Sequence, residues 1–368
     1  MALTPAPQTR QTGLSLVEVL VAMTIGLVIL MAIISLLATS TRSRQELDQS
    51  GQMTENGQYA IQTLHEELRH AGFFGHYYAN GLTAPASLPD PCVSSDASAL
   101  LAAMALPLQG YHAPDQTTRA DLATSTCATT LLGNANLKPG SDILVVRRAD
   151  TAILSGTPTR GEVYLQANVT TAAIQFGSAT ANVPTTTADG GPVTLTQRNG
   201  AVISPANIRK LHVRTYFIAP CASGSGAFGV CTTSDDTTPT LKRLDLTASG
   251  GTPTLTITPL AEGIEFMKFT YGLDDTPPDT DPATGLTGDG FPDSWKNAGE
   301  LTASTWGSVV AVQVNLLARA LESSREHVDD KIYQVGPLAI SAPGDGYRRH
   351  IFSIETRPVN LAGPRSMR

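Results

Sequence analysis

Gly13-Leu14-Ser15-Leu16-Val17-Glu18 opens an apolar run that reaches Ala38 with no charged residue after Glu18. From Leu14 to Ala38 the chain has 25 residues, about 37 Å as an α-helix. That length crosses the ~30 Å hydrocarbon core of a bilayer. Glu18 sits inside the run, where a carboxylate costs on the order of 3 kcal/mol and needs a partner. The nearest positive group is an α-amino group at Leu14, created if the chain is cut after Gly13. Two simpler readings are a secretory signal cleaved near Ala38-Thr39-Ser40 and a plain signal anchor. A secretory apolar region spans about 7–15 residues, and an anchor leaves Glu18 without a reason. Arg42 and Arg44 follow the span directly, so basic-residue counting gives an anchor no support for an outside C-terminus.

The pattern does not stop at Ala38. Thr39 to Arg69 contains no proline, and Leu47, Ala60, Ile61, Leu64 and Leu68 recur at helical spacing among polar residues. The spacing predicts one helix from about Ser15 to His70, roughly 80 Å long. Its first half is apolar all round and its second half is amphipathic. Gly72 is placed to end it, with Phe73 and Phe74 supplying the apolar contact that follows such a cap. Gly26, Gly51 and Gly57 each weaken the helix by about 1 kcal/mol relative to alanine.

Beyond Gly75 short β-patterned runs alternate with turn clusters. Candidate strands cover 142–147, 162–166, 211–219, 242–247, 263–273, 309–318, 331–335 and 348–356. Val310, Val312, Val314 and Leu316 show the period of two expected of a half-buried strand. Residues 79–140 and 178–206, rich in Ala, Thr, Pro and Gly, read as surface insertions outside the core. Only 15% of residues are charged and 5% aromatic, against 32 Gly and 24 Pro; this favours a loop-rich β unit over a helical bundle. A net charge of −7 argues against nucleic acid as the main partner. Cys92, Cys127, Cys221 and Cys231 make an even set, expected to form two disulfides outside the cytoplasm. Sequence does not fix the pairing. Cys92–Cys127 and Cys221–Cys231 are favoured, because the latter closes a short Gly/Ser loop between strands.

The Gly13/Leu14/Glu18 spacing resembles the class III signal of type IV prepilins. Three C-terminal segments resemble PilW-type minor pilins: Leu260-Ala261-Glu262-Gly263-Ile264-Glu265 with Phe269-Thr270-Tyr271-Gly272-Leu273-Asp274, Trp306 ahead of Val309–Val312, and Tyr347–Phe352. The resemblance implies an α+β fold, a long N-terminal helix packed by its second half on an antiparallel β-rich domain. It divides the chain into a leader (1–13), a transmembrane and assembly helix (14–38), an amphipathic continuation (39–72) and a globular domain (73–368). A prepilin peptidase is expected to cut between Gly13 and Leu14 and to methylate the new amine. Glu18 is then an assembly residue that meets a neighbouring subunit's N-terminus. The implied protein is a non-enzymatic minor pilin of the inner membrane with a periplasmic C-terminal domain, later carried to the pilus tip. Its implied partners are other minor pilins, the major pilin and a tip adhesin. The alternatives are a J-type pseudopilin of type II secretion and a membrane-anchored periplasmic binding protein.

Other constellations are weaker. His65 and His70 are five apart, off the i, i+4 alignment of a zincin helix. Gly224-Ser225-Gly226-Ala227-Phe228-Gly229 satisfies G-x-G-x-x-G without a helical pattern after it, so it reads as a flexible tip loop. No cofactor is expected, with one candidate exception. Asp279, Asp281, Asp289 and Asp293 lie among Gly, Pro and Thr in a segment with the flavour of a calcium loop, off the EF-hand spacing. Arg348, Arg349 and His350 read as an exposed basic edge.

Overall fold

The computed structural model describes residues 13, 15–77, 82, 84–122, 125, 127, 129–177, 195–199, 202–276, 288–324 and 326–366. Helix α1 runs unbroken over Leu16–His70, through Gly26. The chain divides into two compact units, Met1–Gly51 and Gln52–Arg368. In the first, the apolar side chains from Leu16 to Leu37 are exposed. The hydroxyls of Thr24, Ser35, Thr39 and Thr41 donate to carbonyls three or four residues back. Each is thereby satisfied within the helix.

The second unit holds the rest of α1, helix α2 (Ala97–Ala103) and strands β1 (Leu108–Tyr111), β2 (Ile143–Ala149), β3 (Val163–Ala167) and β4 (Ala172–Phe176). There follow β5 (Thr196–Asn199), β6 (Val202–Pro205), β7 (Ile208–Ala219), β8 (Thr240–Ser249), β9 (Thr252–Glu262) and β10 (Ile264–Leu273). The chain ends with β11 (Ser294–Lys296), β12 (Val309–Arg319), β13 (Tyr333–Val335), β14 (Leu338–Ile340), β15 (Arg349–Thr356) and helix α3 (Val359–Ser366). One sheet joins β1-β2-β7-β3-β4, with β8 beside β7 and β9 beside β8; a second runs β11-β10-β12-β15. Every pairing is antiparallel. This is the α+β architecture expected from the sequence.

The amphipathic half of α1 supplies Met53, Gly57, Ala60, Leu64 and Leu68 to the largest core cluster or its rim, alongside Tyr216, Phe269, Tyr271, Val314, Leu316 and Trp306. The spacing of 4, 3, 4 and 4 is a single helix face. Gly57 is needed there: a Cβ at that position would fall within the ring of Phe352 on β15. Glu67 shares the buried face. Its Oε1 accepts from Arg148 Nη2 at 3.0 Å, its Oε2 from Arg148 Nε at 3.2 Å, and it also accepts from Arg214 Nη1. Arg214 and Arg243 both donate to Asp245 on β8. The helix is thus pinned to β2 and β7 by charge as well as by apolar packing. Gly72 ends the helix at φ +76°, a conformation that favours glycine, and its N–H donates to Arg147 O on β2 at 3.0 Å.

Two expectations are corrected. Residues 79–140 build core: Leu100, Met104, Leu106, Leu108, Leu122, Leu132 and Leu137 are buried. Leu100, Met104 and Leu106 belong to the apolar run Ala99–Leu106, which lies in a stretch whose Ala, Thr, Pro and Gly content reads as turns. Of 178–206, residues 178–194, 200 and 201 lie outside the described residues, and β5 pairs with β6. Arg349 is no exposed edge residue. Its side chain is 1% exposed and donates to Glu265 (2.6 Å), Asp329 (2.9 Å) and Asp345 (2.7 Å).

A second buried pair ties the sheets together: Lys268 Nζ on β10 donates to Asp142 Oδ1 at 2.5 Å and to Ala113 O at 2.6 Å. The amides of Ala113 and Phe269 complete the Asp142 carboxylate. On β9, Pro253 opposes Ala248 and Pro259 opposes Lys242. Proline has no N–H to give a ladder, so both occupy positions whose backbone groups point away from β8.

Two predictions follow from the helix anchor. Burial raises the Glu67 carboxyl's pKa, but the hydrogen bond from Arg148 and the charges of Arg214 and Arg148 outweigh this and hold it below its ordinary value. Glu67→Gln leaves those guanidiniums undercompensated and should cost about 3 kcal/mol, read as a loss of thermal stability near neutral pH. Because the folded pKa is depressed, the wild type's advantage is complete above the ordinary glutamate range and vanishes as pH falls through the folded value; equal Tm differences at pH 7 and at strongly acid pH would contradict this. Gly57→Ala should destabilise by about 1–2 kcal/mol despite its better helix propensity. Adding Phe352→Leu should recover part of that loss, a non-additivity measurable in a double-mutant cycle.

Candidate functional site: the helix start and the C-terminal sheet

The start of α1 is built by its own side chains. Ser15 Oγ accepts the Val17 N–H at 3.2 Å, and Glu18 Oε2 accepts the Ser15 N–H at 2.9 Å. This is the reciprocal S-x-x-E capping arrangement, which satisfies amides that have no partner within the helix. The signal lay in plain view in Ser15-Leu16-Val17-Glu18, although the sequence pointed to an amine, a neighbour's or its own chain's at Leu14, as the partner of Glu18. Gly13 is exposed with open space around its Cα, and Leu14 lies outside the described residues. Downstream, the helix carries an 18-residue window of mean hydropathy 2.8, none of it buried. By length and composition it is able to cross a membrane.

The remaining candidate residues fall in separate places. Cys92 joins Cys127 and Cys221 joins Cys231, each pair with Cα atoms 5.8 Å apart. Asp90 lies beside the first pair and accepts from the Cys92 N–H and Ser125 Oγ; with both sulfurs in a disulfide, that trio offers no thiolate to a metal. The loop closed by the second pair is bonded to two neighbouring carboxylates. Asp235 accepts the Ser225 and Thr232 amides, and Asp236 those of Ala222, Ser223 and Thr238. The Ser225 side chain, with the Ser225 and Thr232 amides behind it, holds the Asp235 carboxyl down at about 2. At the loop's tip Phe228 is exposed in left-handed backbone, φ +59°. No strand leads directly into a helix there, so the G-x-G-x-x-G match has no dinucleotide geometry.

Of the calcium candidates, Asp279 and Asp281 lie outside the described residues. Asp289 Oδ1 accepts the Phe291 N–H and Asp293 Oδ2 the Asp275 N–H, both at 2.9 Å. These two carboxylates close turns of their own loop. His65 and His70 do not converge on one point: His65 Nδ1 lies 2.7 Å from Thr356 Oγ1, and His70 Nδ1 lies 2.8 Å from Glu66 O.

Sequence reasoning also missed His212 on β7. Burial lowers its pKa to about 4, reinforced by Arg214 and Arg148 and opposed by Asp150. The imidazole is therefore neutral near pH 7 and faces the same arginines that hold Glu67. Its sequence setting, Arg209-Lys210-Leu211-His212-Val213-Arg214, gave the alternation of a strand but not the partners across it.

Residues 215–360, from the middle of β7 into α3, match the type IV pilus-assembly protein W family. This segment holds the second sheet entire, the Arg349 network and the Cys221–Cys231 loop. No curated protein matches the chain. Among solved structures, a type IV-like pilin from Thermus thermophilus aligns at 15% identity over 41% of this chain and 78% of its own, with a TM-score of 0.20, a likeness too slight to bear on the fold. Residues 215–360 thus resemble the type IV pilus-assembly protein W family, and the same chain carries an N-terminal helix able, by length and composition, to cross a membrane.

Proposed function

We propose that the protein is a minor pilin that helps to start type IV pilus assembly and takes a place at or near the fibre tip. The observation that carries this reading is the union, in one chain, of the Gly13/Leu14/Glu18 spacing, an apolar helix with no burial of its own, and a segment of the type IV pilus-assembly protein W family. A prepilin peptidase cuts after Gly13 and methylates the Leu14 amine. The product waits in the inner membrane with its C-terminal unit in the periplasm. Other minor pilins, the major pilin and a tip adhesin are its partners. The size of the chain and its turn-rich segments support a low-copy role, since a fibre's main subunit is packed in thousands of identical copies.

The wholly exposed apolar half of α1 supports helix-to-helix assembly, because an apolar helix leaving lipid has to be covered by other apolar surface. A methylated α-amine still carries its charge at neutral pH, and a neighbour's amine would neutralise Glu18 as subunits dock. In the free chain that carboxylate has a second task, the capping of Ser15.

Processing is tested by mass spectrometry of the membrane-extracted protein, where an N-terminus at methylated Leu14 is expected. Retention of Met1, or cleavage after Ser40, overturns the pilin reading. Glu18→Gln keeps an acceptor for the Ser15 N–H and removes the charge, whereas Glu18→Ala removes both. Both variants should be cleaved and inserted, and both should co-purify with less of the other pilins. If Glu18→Gln behaves as wild type and only Glu18→Ala fails, the residue acts through the helix cap and not through charge. A deletion strain with undiminished surface piliation would contradict the assembly role.

A further inference from the structure

The second sheet ends at β15, whose strand partner is β12. Ala320 N–H donates to Arg348 O at 2.8 Å, and the register runs on without a shift to Thr356 opposite Val312. Antiparallel pairs alternate between those that exchange hydrogen bonds and those that do not. Hence His350, Phe352, Ile354 and Thr356 turn their main-chain groups to β12, whereas Arg349, Ile351, Ser353 and Glu355 turn theirs outward. The far side of β12 agrees, since Arg319 N–H donates to Gly263 O just before β10. Among the described residues, no main-chain hydrogen bond reaches the outward N–H or C=O of Ile351, Ser353 or Glu355. Ser353 and Glu355 are exposed, so this row meets solvent.

Proteins guard such an edge with prolines, bulges or a covering segment. On β9, Pro253 and Pro259 serve that purpose. β15 has neither proline nor glycine in Arg349–Thr356 and no bulge against β12. On one face of β15, Phe352 lies against Gly57 and Ile354 packs on the core beneath α1, and both stay partly exposed. On the other face, Ser353 donates to Asn315 Oδ1 at 2.7 Å, and Glu355 reaches into solvent.

We propose that the outer edge of β15 receives an extended strand of a different pilin, added to the second sheet through main-chain hydrogen bonds. The added strand carries apolar residues on its α1 side, beside Phe352 and Ile354, and a basic residue opposite Glu355. A second copy of this chain is the poorer occupant. Gly57 lies under Phe352, and His65 Nδ1 lies 2.7 Å from Thr356 Oγ1. Between these contacts the helix advances about 12 Å and the strand about 13 Å, so α1 and β15 run side by side in one direction. Antiparallel pairing of two β15 edges would set their α1 segments in opposite directions, whereas chains inserted in one membrane from the same side have them alike. The partner's class rests on the assembly reading above; the open edge does not.

The test uses the full-length protein, made in cells that express the other pilins, with photoreactive p-benzoylphenylalanine in place of Glu355. Light should join it to an extended segment of another pilin, mapped by peptide mass spectrometry. Ser353→Pro removes an outward N–H and no bond to β12, so its Tm should stay within about 4 °C of the wild type. Ser353→Ala removes the same hydroxyl and keeps the N–H. The proline variant should recover about tenfold less of that pilin than the alanine variant, with cleavage after Gly13 and membrane insertion unchanged. Glu355→Lys should lower recovery by about fivefold. No crosslink, a crosslink to a second copy or to a chain that is not a pilin, or equal recovery with Ser353→Pro and Ser353→Ala overturns the proposal. If Ser353→Pro fails to fold, the mapped crosslink decides alone. A crosslink to another pilin, in a species whose deletion strain keeps its pili, upholds the β15 inference and removes the assembly role; pili lost on deletion without any crosslink do the reverse.

Discussion

The second half of α1 has to be buried, and much of the C-terminal unit is arranged to bury it. Met53, Ala60, Leu64 and Leu68 meet residues of both large sheets in a single core, so the helix serves as the common wall on which those sheets are registered. Two details set how close the contact is. Gly57 lets Phe352 lie directly against the helix backbone, and Glu67 fixes the helix's rotation by offering one carboxylate to Arg148 and Arg214. Apolar burial supplies most of the free energy without direction, whereas the ion pairs carry direction at little net gain.

One helix therefore answers to two environments. From Leu16 to Leu37 its apolar side chains are exposed, and the hydroxyls of Thr24 and Ser35 turn back on the helix. Beyond Gly51, one face is buried and the other polar. This change of character along an unbroken helix was readable from the sequence, because hydropathy and helical periodicity are local properties. So were the strands with strict alternation, such as Val309–Arg319, and the glycine that ends the helix. Strands β1, β4 and β9 escaped notice, being short or threonine-rich, and so did the core contributed by residues 97–137. There the apolar run Ala99–Leu106 sits within a turn-rich stretch, and what buries it is distant in sequence.

Buried charge was the least legible feature. Lys268, in Phe266-Met267-Lys268-Phe269, interrupts a run that reads as apolar core. Arg349, between Arg348 and His350, reads as part of a basic surface. In the fold each meets carboxylates brought from remote segments: Asp142 for the first, and Glu265, Asp329 and Asp345 for the second. A lone charged residue in a strand gives no sign of its partner until the register is known. The same holds at the helix start, in reverse. There the partner of Glu18 was only three residues away, and the more elaborate reading drew attention from the simpler one.

The prolines of β9 have a consequence for how this protein tolerates crowding. Pro253, Leu255, Ile257 and Pro259 share one edge of the strand, the edge that faces away from β8. Of four amides that a further strand would need there, two are missing. Continuation of the sheet into a second molecule would strand its carbonyls opposite proline rings. The large sheet is thereby closed to growth along this side, and two copies of the chain are guarded against fusing strand to strand into a cross-β aggregate.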